Sequence, residues 1–492
     1  MRVLLINPKF PISYWGMQHA VKFDGKRAVF PPLGLLTVSA LLPDYCETQL
    51  VDCEVEKLKD ADIDSADLVF VTGMLVQKKA VHEIVDRCKA RGKTVVVGGP
   101  YVSTSMEDVP QADHIFVGEV ETTLPQFFQD LARGEDKKIY KAAERPALTS
   151  LPVPHFGLAN LRRYSMMSVQ FSRGCPFDCE FCDIIEIYGR VPRTKTNEQV
   201  LAELDALFKL GWRGSVFFVD DNLIGNKKKL RMLLPELIAW QEKHGRPFVF
   251  FTQASLNLAD DKPLLEQMRR AGFNTVFLGI ETPDQESLVE TQKLQNTGRS
   301  LLESVQTIQS YGIEVMAGFI VGFDHDKPDI FKRQIDFIRQ GAIPRAMVGV
   351  LTALPDTQLW RRLQKEGRLL TESSGNNFED VNFIPKMDVG KLVAGHRTIV
   401  QTIYAPREYY ERVLSCMKRL PTNKPISSKN HELVNSLTAL VRITVKLGVM
   451  DRERREFWRF IKRVCMEHPG QLVHGLEHAA IGYHFRKLSF SE

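Results

Sequence analysis

The chain has 492 residues, 44% of them apolar and 25% charged, and its 65 Lys and Arg against 60 Asp and Glu leave a formal charge of only +5. That balance excludes a largely disordered, collagen-like or disulfide-stapled chain, and so weak a charge gives no footing for a nucleic-acid partner. No run approaches the ~20 apolar residues of a membrane span. The short apolar run Val3-Leu4-Leu5-Ile6 reads as a first strand rather than a signal peptide, so no transmembrane segment and a cytoplasmic location are expected.

At ~150 residues per domain, the length suggests about three domains. Residues 1–145 alternate strand and helix. Strands are expected over 2–8, 49–55, 67–72, 94–97 and 114–117. Helices are expected over 31–42, over 77–90 with Val81, Ile84, Val85 and Cys88 on one face, and from 124 to 131. Five strands with helices between them predict an α/β, doubly wound, Rossmann-like sheet. Ligands of such sheets sit beyond the carboxyl ends of the strands. Those ends carry Asn7-Pro8, Thr72-Gly73-Met74 and Gly98-Gly99-Pro100.

A proline-rich linker, residues 146–160, holds Pro146, Pro152 and Pro154. Residues 161–365 then give strands over 168–172, 215–220, 248–253, 275–280, 314–321 and 346–351, with helices such as 197–210 and 228–244. Six such units predict a partial (β/α)6 barrel, whose chemistry gathers at the carboxyl ends of the strands. Residues 366–492 are expected to be mainly helical after a loop at Gly375-Asn376-Asn377. The helices span 389–404, 408–419, 432–446 and 451–467, the third with an apolar face of Leu433, Leu437, Leu440 and Ile443. This region is expected to cap the barrel.

Five of the eight cysteines are scattered, and Cys175, Cys179 and Cys182 are clustered as C-x3-C-x2-C. Zinc sites normally supply four protein ligands, and no histidine lies near these three. Three thiolates suit a [4Fe–4S] cluster with one iron open to an external ligand. The alternative is a structural site completed by a remote cysteine.

The segments Phe171-Ser172-Arg173-Gly174-Cys175 and Cys179-Glu180-Phe181-Cys182-Asp183 resemble the cluster motif of radical S-adenosylmethionine (SAM) enzymes. In that family the open iron chelates SAM, which is cleaved to methionine and a 5′-deoxyadenosyl radical. The resemblance implies a packing role near the adenine for Phe181. It implies an ammonium-binding role for Asp220 or Asp221 in Val219-Asp220-Asp221-Asn222. Ser255 and Asn257 would reach the SAM carboxylate or ribose. Gly279-Ile280-Glu281-Thr282 resembles the ribose-binding motif, with Glu281 accepting from the hydroxyls. The Gly318 to Gly322 segment resembles the one that passes under the adenine.

The N-terminal region resembles the cobalamin-binding domains of one radical SAM subclass. It departs from the D-x-H-x-x-G pattern, since Asn7-Pro8-Lys9-Phe10 offers no histidine. The resemblance implies that Asn7, Thr72, Gly98 and Gly99 contact cobalamin, with Met74 and Leu75 beneath the corrin and no protein ligand on cobalt. Residues 1 to about 420 resemble methylases of the hopanoid C-2 type through Phe30-Pro31-Pro32-Leu33-Gly34, Tyr188-Gly189-Arg190-Val191-Pro192-Arg193 and Val219-Asp220-Asp221-Asn222-Leu223-Ile224-Gly225-Asn226.

That likeness implies a methyltransferase using a [4Fe–4S] cluster, cobalamin and two SAM molecules. One SAM methylates the cobalamin, and the other generates the radical that opens an unactivated carbon of the substrate. The implied partners are a small-molecule substrate, for which the C-terminal aromatics Tyr404, Tyr409, Tyr410, Phe457 and Trp458 permit an apolar or lipid-like character, and a reductant such as flavodoxin or ferredoxin. The alternatives are a cyclase, ring-contracting or oxidative enzyme with the same cofactors, and a non-catalytic cobalamin or Fe–S regulator.

Overall fold

The structure is a computed structural model that describes residues 1–375, 381–421 and 433–490. The first sheet contains β1 (Arg2–Asn7), β2 (Glu47–Asp52), β3 (Leu68–Thr72), β4 (Thr94–Gly98), β5 (His114–Val117) and β6 (Ile139–Lys141), in the order β2-β1-β3-β4-β5-β6. All its ladders are parallel. The order reverses at β1, with β2 on one side and β3 on the other, which opens a crevice at the carboxyl edge. The sequence showed five strands; the sixth, Ile139-Tyr140-Lys141, is too short for a visible alternation. Its Tyr140 is buried against Phe116 and Phe127. The helix Lys78–Ala90 buries Val81, Ile84, Val85 and Cys88, the face its spacing predicted.

The second sheet contains β7 (Met167–Val169), then β10 (Gly214–Phe218), β11 (Phe248–Ala254), β12 (Phe273–Glu281), β13 (Glu314–Val321) and β14 (Ala346–Val350), parallel and in sequence order. The strand expected over 168–172 is a correction. It ends at Val169, and β8 (Ser172–Arg173) pairs antiparallel with β9 (Arg193–Thr194) instead. The Asp220 carboxylate takes the Phe171 and Ser172 N–H groups, which diverts the backbone from the sheet.

Alternation along these strands sorts two aromatic sets. Phe218 and Phe250 pack outward with Phe273 and Phe248. Phe217 and Phe251 stack on each other, with centroids 4.5 Å apart, on the opposite face. Trp15 joins them from the irregular segment after β1, at 6.5 Å from Phe217, 6.4 Å from Phe251 and 5.0 Å from Phe277. The next residue back, Tyr14, donates to the Val348 carbonyl at 3.1 Å. The N-terminal segment therefore plugs into the barrel, a long-range packing that no local pattern announces.

The C-terminal region is helical: Val389–Tyr404, Pro406–Arg419, Leu433–Ile443, Arg454–Glu467 and Leu472–Ser489. The last helix was missed because its buried residues mix Leu476, Ala479, Ala480 and Phe485 with Gly475, His478, Gly482 and His484, which blurs the apolar stripe. The expected apolar face of the third helix is corrected in part. Leu440 is exposed, whereas Ile443 is buried as expected, with Ala439 and Leu447 buried one turn before and after it. Asn376, Asn377 and the side chains of Leu433 and Leu437 lie outside the described residues. Among the described residues no helix is long and apolar enough to cross a membrane.

Candidate active site

The three clustered cysteines follow the break after β7 and lie at the carboxyl mouth of the barrel. The turn into them requires Gly174, whose φ is +96° and whose Cβ would meet the Gly189 carbonyl oxygen at 2.8 Å. Cys175 N–H donates to that same carbonyl at 3.1 Å. Asp221 accepts from the Gly174 N–H at 2.8 Å. Asp220 is completely buried and accepts from Phe171 N–H at 3.2 Å, Ser172 Oγ at 2.6 Å and Ser172 N–H. Burial pushes the Asp220 carboxyl up to about 7 and that of Asp221 up to about 6, against these donors. Both aspartates thus brace the backbone that leads into Cys175. Asp220, one of the two expected ammonium acceptors, takes three donors from the chain, whereas Asp221, the other, takes the Gly174 N–H.

From the other side, Glu180 accepts from Arg362 at 2.5 and 3.0 Å, and Asp178 accepts from Gln358 at 2.9 Å. The Leu359 N–H donates to the Glu180 carbonyl at 2.9 Å. The helix Gln358–Lys365 therefore clamps the cysteine loop, a role the sequence did not reveal.

All three thiols are free, Cys179 buried and the other two partly so. Burial pushes the Cys175 and Cys182 thiols upward, with like charge from Cys179 adding to it. Three desolvated sulfurs in one loop are unfavourable as isolated thiolates and fit a cationic iron–sulfur group. Gln295 Nε2 lies 3.5 Å from Cys179 Sγ, and Asn222 Nδ2 lies 3.9 Å from Cys175 Sγ.

Asn222 connects two strand ends. Its amide donates to Ser255 Oγ at 3.1 Å and accepts from the Ser255 N–H at 3.2 Å, while Ser255 Oγ donates to Asn257 Oδ1 at 2.6 Å. The polar residues expected after β10 and β11 are therefore one network beside Cys175.

Glu281 ends β12 at φ +66°, where the β12–β13 register slips between Gly279 and Glu281. A non-glycine residue held there costs about 1–3 kcal/mol, and such strain gathers at functional sites. Its carboxylate pairs with Lys293 Nζ at 2.7 Å. Burial opposes the Lys293 charge, but Glu281 and the Cys179 and Cys182 sulfurs raise its pKa above the ordinary lysine value. Lys293 also lies 5.8 Å over the Phe181 ring. Sequence reasoning missed this lysine because it stands on an irregular turn with no motif.

Gly318 makes room for Phe277, whose Cζ would be 3.0 Å from an added Cβ. Gly322, at φ +106°, donates its N–H to Asp326 at 2.8 Å. Glu281→Ala is expected to weaken SAM binding by roughly 10- to 150-fold, or about 1.5–3 kcal/mol, with iron content unchanged. Equilibrium dialysis with labelled SAM measures this; unaltered affinity moves the ribose contact elsewhere.

At the other sheet, the carboxyl ends of β1, β3 and β4 lie together. Gln77 joins two of them, accepting from the Met74 N–H at 2.9 Å and donating to the Pro8 carbonyl at 2.5 Å. Met74 is exposed, and Leu75 packs beside Gly375. Gly99 takes φ +98°, and its Cβ direction points at Thr72 Oγ1. Asn7 donates to Asp52 at 2.9 Å, and Tyr164 donates to the other oxygen of Asp52 at 2.8 Å, so the Asn7 amide is turned into the protein. His82 pairs with Tyr101, and His114 begins β5, at the amino edge of the sheet. His19 faces His484.

A parallel sheet with an open carboxyl edge, set before a partial barrel with three free thiols at its mouth, defines a B12-binding radical SAM architecture. Family models match accordingly: B12 binding domain over 27–128, Radical SAM superfamily over 169–338, and a domain of unknown function, DUF4070, over 357–491. The chain is 43% identical to the uncharacterized methyltransferase sll1242 of Synechocystis sp., over 99% of this chain and 91% of that one. It is 37% identical to the hopanoid C-2 methylase of Rhodopseudomonas palustris, over 94% of this chain and 89% of that one. Among solved structures, the cobalamin-dependent SAM radical enzyme OxsB shares the fold with a TM-score of 0.65 at 17% identity, covering 99% of this chain and 79% of that one. The methyltransferase TsrM of Kitasatospora setae shares it with a TM-score of 0.62 at 15% identity, covering 94% of this chain and 98% of that one. The chain belongs to the cobalamin-dependent radical SAM methyltransferases that include the hopanoid C-2 methylase.

Proposed function

We propose that the protein transfers a methyl group from SAM, by way of cobalamin, to an unactivated carbon of an apolar small molecule. The observation that supports this most is the 37% identity, over 94% of the chain, to a hopanoid C-2 methylase, a protein named for methylating an apolar molecule. Within the barrel, Trp15, Phe217, Phe251 and Phe277 pack on one another and give one face of the strands an apolar character.

When bound, the [4Fe–4S] cluster supplies the electron that cleaves SAM, and cobalamin supplies the methyl group. Cys175, Cys179 and Cys182 would hold the cluster. Asp220 or Asp221, which brace their loop, would accept from the SAM ammonium. Glu281 would accept from the SAM ribose, and Lys293 would balance the negative charge of the carboxylate and the thiolates around it. Phe181, Gly318 and Gly322 would border the adenine, and Ser255 and Asn257 the polar end of SAM. Thr72, Gly98 and Gly99 would face the cobalamin tail, with Met74 and Leu75 against the corrin. Asn7 would orient the β1 edge through Asp52. The chemistry calls for a low-potential electron donor of the flavodoxin or ferredoxin class, in keeping with a cytoplasmic setting.

The test is anaerobic turnover of the reconstituted protein with SAM carrying a deuterated methyl group, a flavodoxin reductant and a fractionated lipid extract. A lipid product bearing the labelled methyl supports the reading. Formation of 5′-deoxyadenosine with an oxidised or cyclised, unlabelled product overturns it. Cobalt binding is checked separately. The Co(II) form is expected to show no axial nitrogen superhyperfine splitting in electron paramagnetic resonance, because His82 is tied to Tyr101, His114 begins β5 at the amino edge and His19 faces His484. Splitting from a nitrogen would show that a base or histidine does ligate cobalt.

A further inference from the structure

The opposite end of the barrel carries a second cluster of metal-binding side chains. Glu314 is the first residue of β13, so it stands at the amino end of the strand, away from the cysteine mouth. His474 and His478 lie four residues apart on the helix Leu472–Ser489, which puts both rings on one face. Glu314 Oε2 is 3.1 Å from His478 Nε2 and 3.2 Å from His474 Nε2. The two Nε2 atoms are themselves 3.2 Å apart. Three ligand atoms therefore form a nearly equilateral triangle.

Nitrogen and oxygen ligands bound to a tetrahedral zinc ion at about 2.0–2.2 Å lie roughly 3.3 Å from one another, close to this triangle. The carboxylate is already aimed. Its other oxygen, Oε1, accepts from Arg345 at 2.7 and 3.0 Å, which leaves Oε2 directed at the imidazoles. Glu314 and His478 are buried, and His474 is partly open to solvent, so an ion can enter from the His474 side. The run His474-Gly475-Leu476-Glu477-His478 has the H-x-x-E-H spacing by which one class of metalloenzyme helix presents two zinc-binding histidines. In that class the glutamate serves the reaction. Here Glu477 is largely exposed and lies 3.8 Å from His474 Nδ1, the far nitrogen of the ring. It is placed to orient the imidazole, not to act on a metal-bound ligand.

We propose that Glu314, His474 and His478 form a binding site for one zinc-like divalent transition-metal ion, which ties the C-terminal helix to the floor of the barrel. Two imidazoles and a carboxylate suit zinc better than calcium or magnesium, which prefer all-oxygen shells. The site has no part in radical chemistry. It fastens the last helix of the chain to a central barrel strand.

The full chain, with its cysteines occupied by a reconstituted iron–sulfur cluster, is dialysed against Zn²⁺ held at low free concentration by a weak chelator. Zinc and iron are then counted per chain. About one zinc ion per chain is expected in the unaltered protein, with a melting temperature raised by zinc. His474→Gln with His478→Gln is expected to lose the zinc and the thermal shift while keeping the iron. X-ray absorption of the unaltered, zinc-loaded protein needs no variant and is expected to show only nitrogen and oxygen neighbours. No retained zinc, sulfur neighbours around it, or equal zinc in a folded double variant overturns the proposal and leaves a proton-sharing carboxylate–histidine pair.

Discussion

Replacing Cys175, Cys179 and Cys182 together by alanine is expected to abolish cluster iron and sulfide and all 5′-deoxyadenosine formation. Cys88→Ala, Cys416→Ala and Cys465→Ala are expected to retain both. The contrast follows from placement. Cys88 lies under the first sheet among Val81, Ile84 and Val85, and Cys416 is buried on the helix Pro406–Arg419, so both are packing residues whose truncation costs only stability. Cys465 is exposed on an outer helix. The three clustered thiols share one loop that is held from behind by Asp220 and Asp221 and from the front by the helix Gln358–Lys365. Iron and sulfide analysis after anaerobic reconstitution decides the matter, and a full complement in the triple variant would refute the assignment.

The same loop shows which features the sequence made legible. The cysteine spacing is local and could be read directly from the chain. The strands of both sheets were readable because fully buried parallel strands are continuous apolar runs, as in Val95-Val96-Val97 and Val315-Met316-Ala317. The roles of the aspartates were not readable. Asp220 is forty-five residues from Cys175 in the chain, and only the folded barrel brings its carboxylate onto the Ser172 backbone. Lys293 and Arg362 escaped notice for the same reason: each meets its partner through tertiary contact, with no periodic signal of its own. The segment that carries Trp15 looked like a long connection after β1, yet its indole stacks on barrel residues some two hundred positions away. Pattern reading reports elements that repeat; a single side chain inserted into another domain leaves no pattern.

Gly99→Val is expected to remove cobalamin binding while the iron–sulfur cluster stays in place. The physical cause is backbone strain together with a clash between two strand ends. Gly99 has φ +98°, where a β-branched residue is strained, and its Cβ would lie 2.5 Å from Thr72 Oγ1 and 3.0 Å from the Gly73 carbonyl oxygen. The β4 end would then be forced away from the β3 end. Two edges of the proposed cobalamin crevice would separate, and the Ser103 hydroxyl that donates to the Gly99 carbonyl at 2.8 Å would lose its register. Backbone strain of about 1–3 kcal/mol adds to the clash and favours a displaced β4 end, which no longer presents the crevice. Gly157→Ala supplies the contrast, because nothing lies within 4 Å of its added Cβ and it stands outside the first sheet. Cobalamin retained after reconstitution and gel filtration, read from its visible absorbance against iron content, separates the two variants. Loss confined to Gly99→Val, with iron intact, supports binding at this edge. Stoichiometric cobalamin in the Gly99→Val protein would place the corrin elsewhere and leave the first sheet as a support for the barrel.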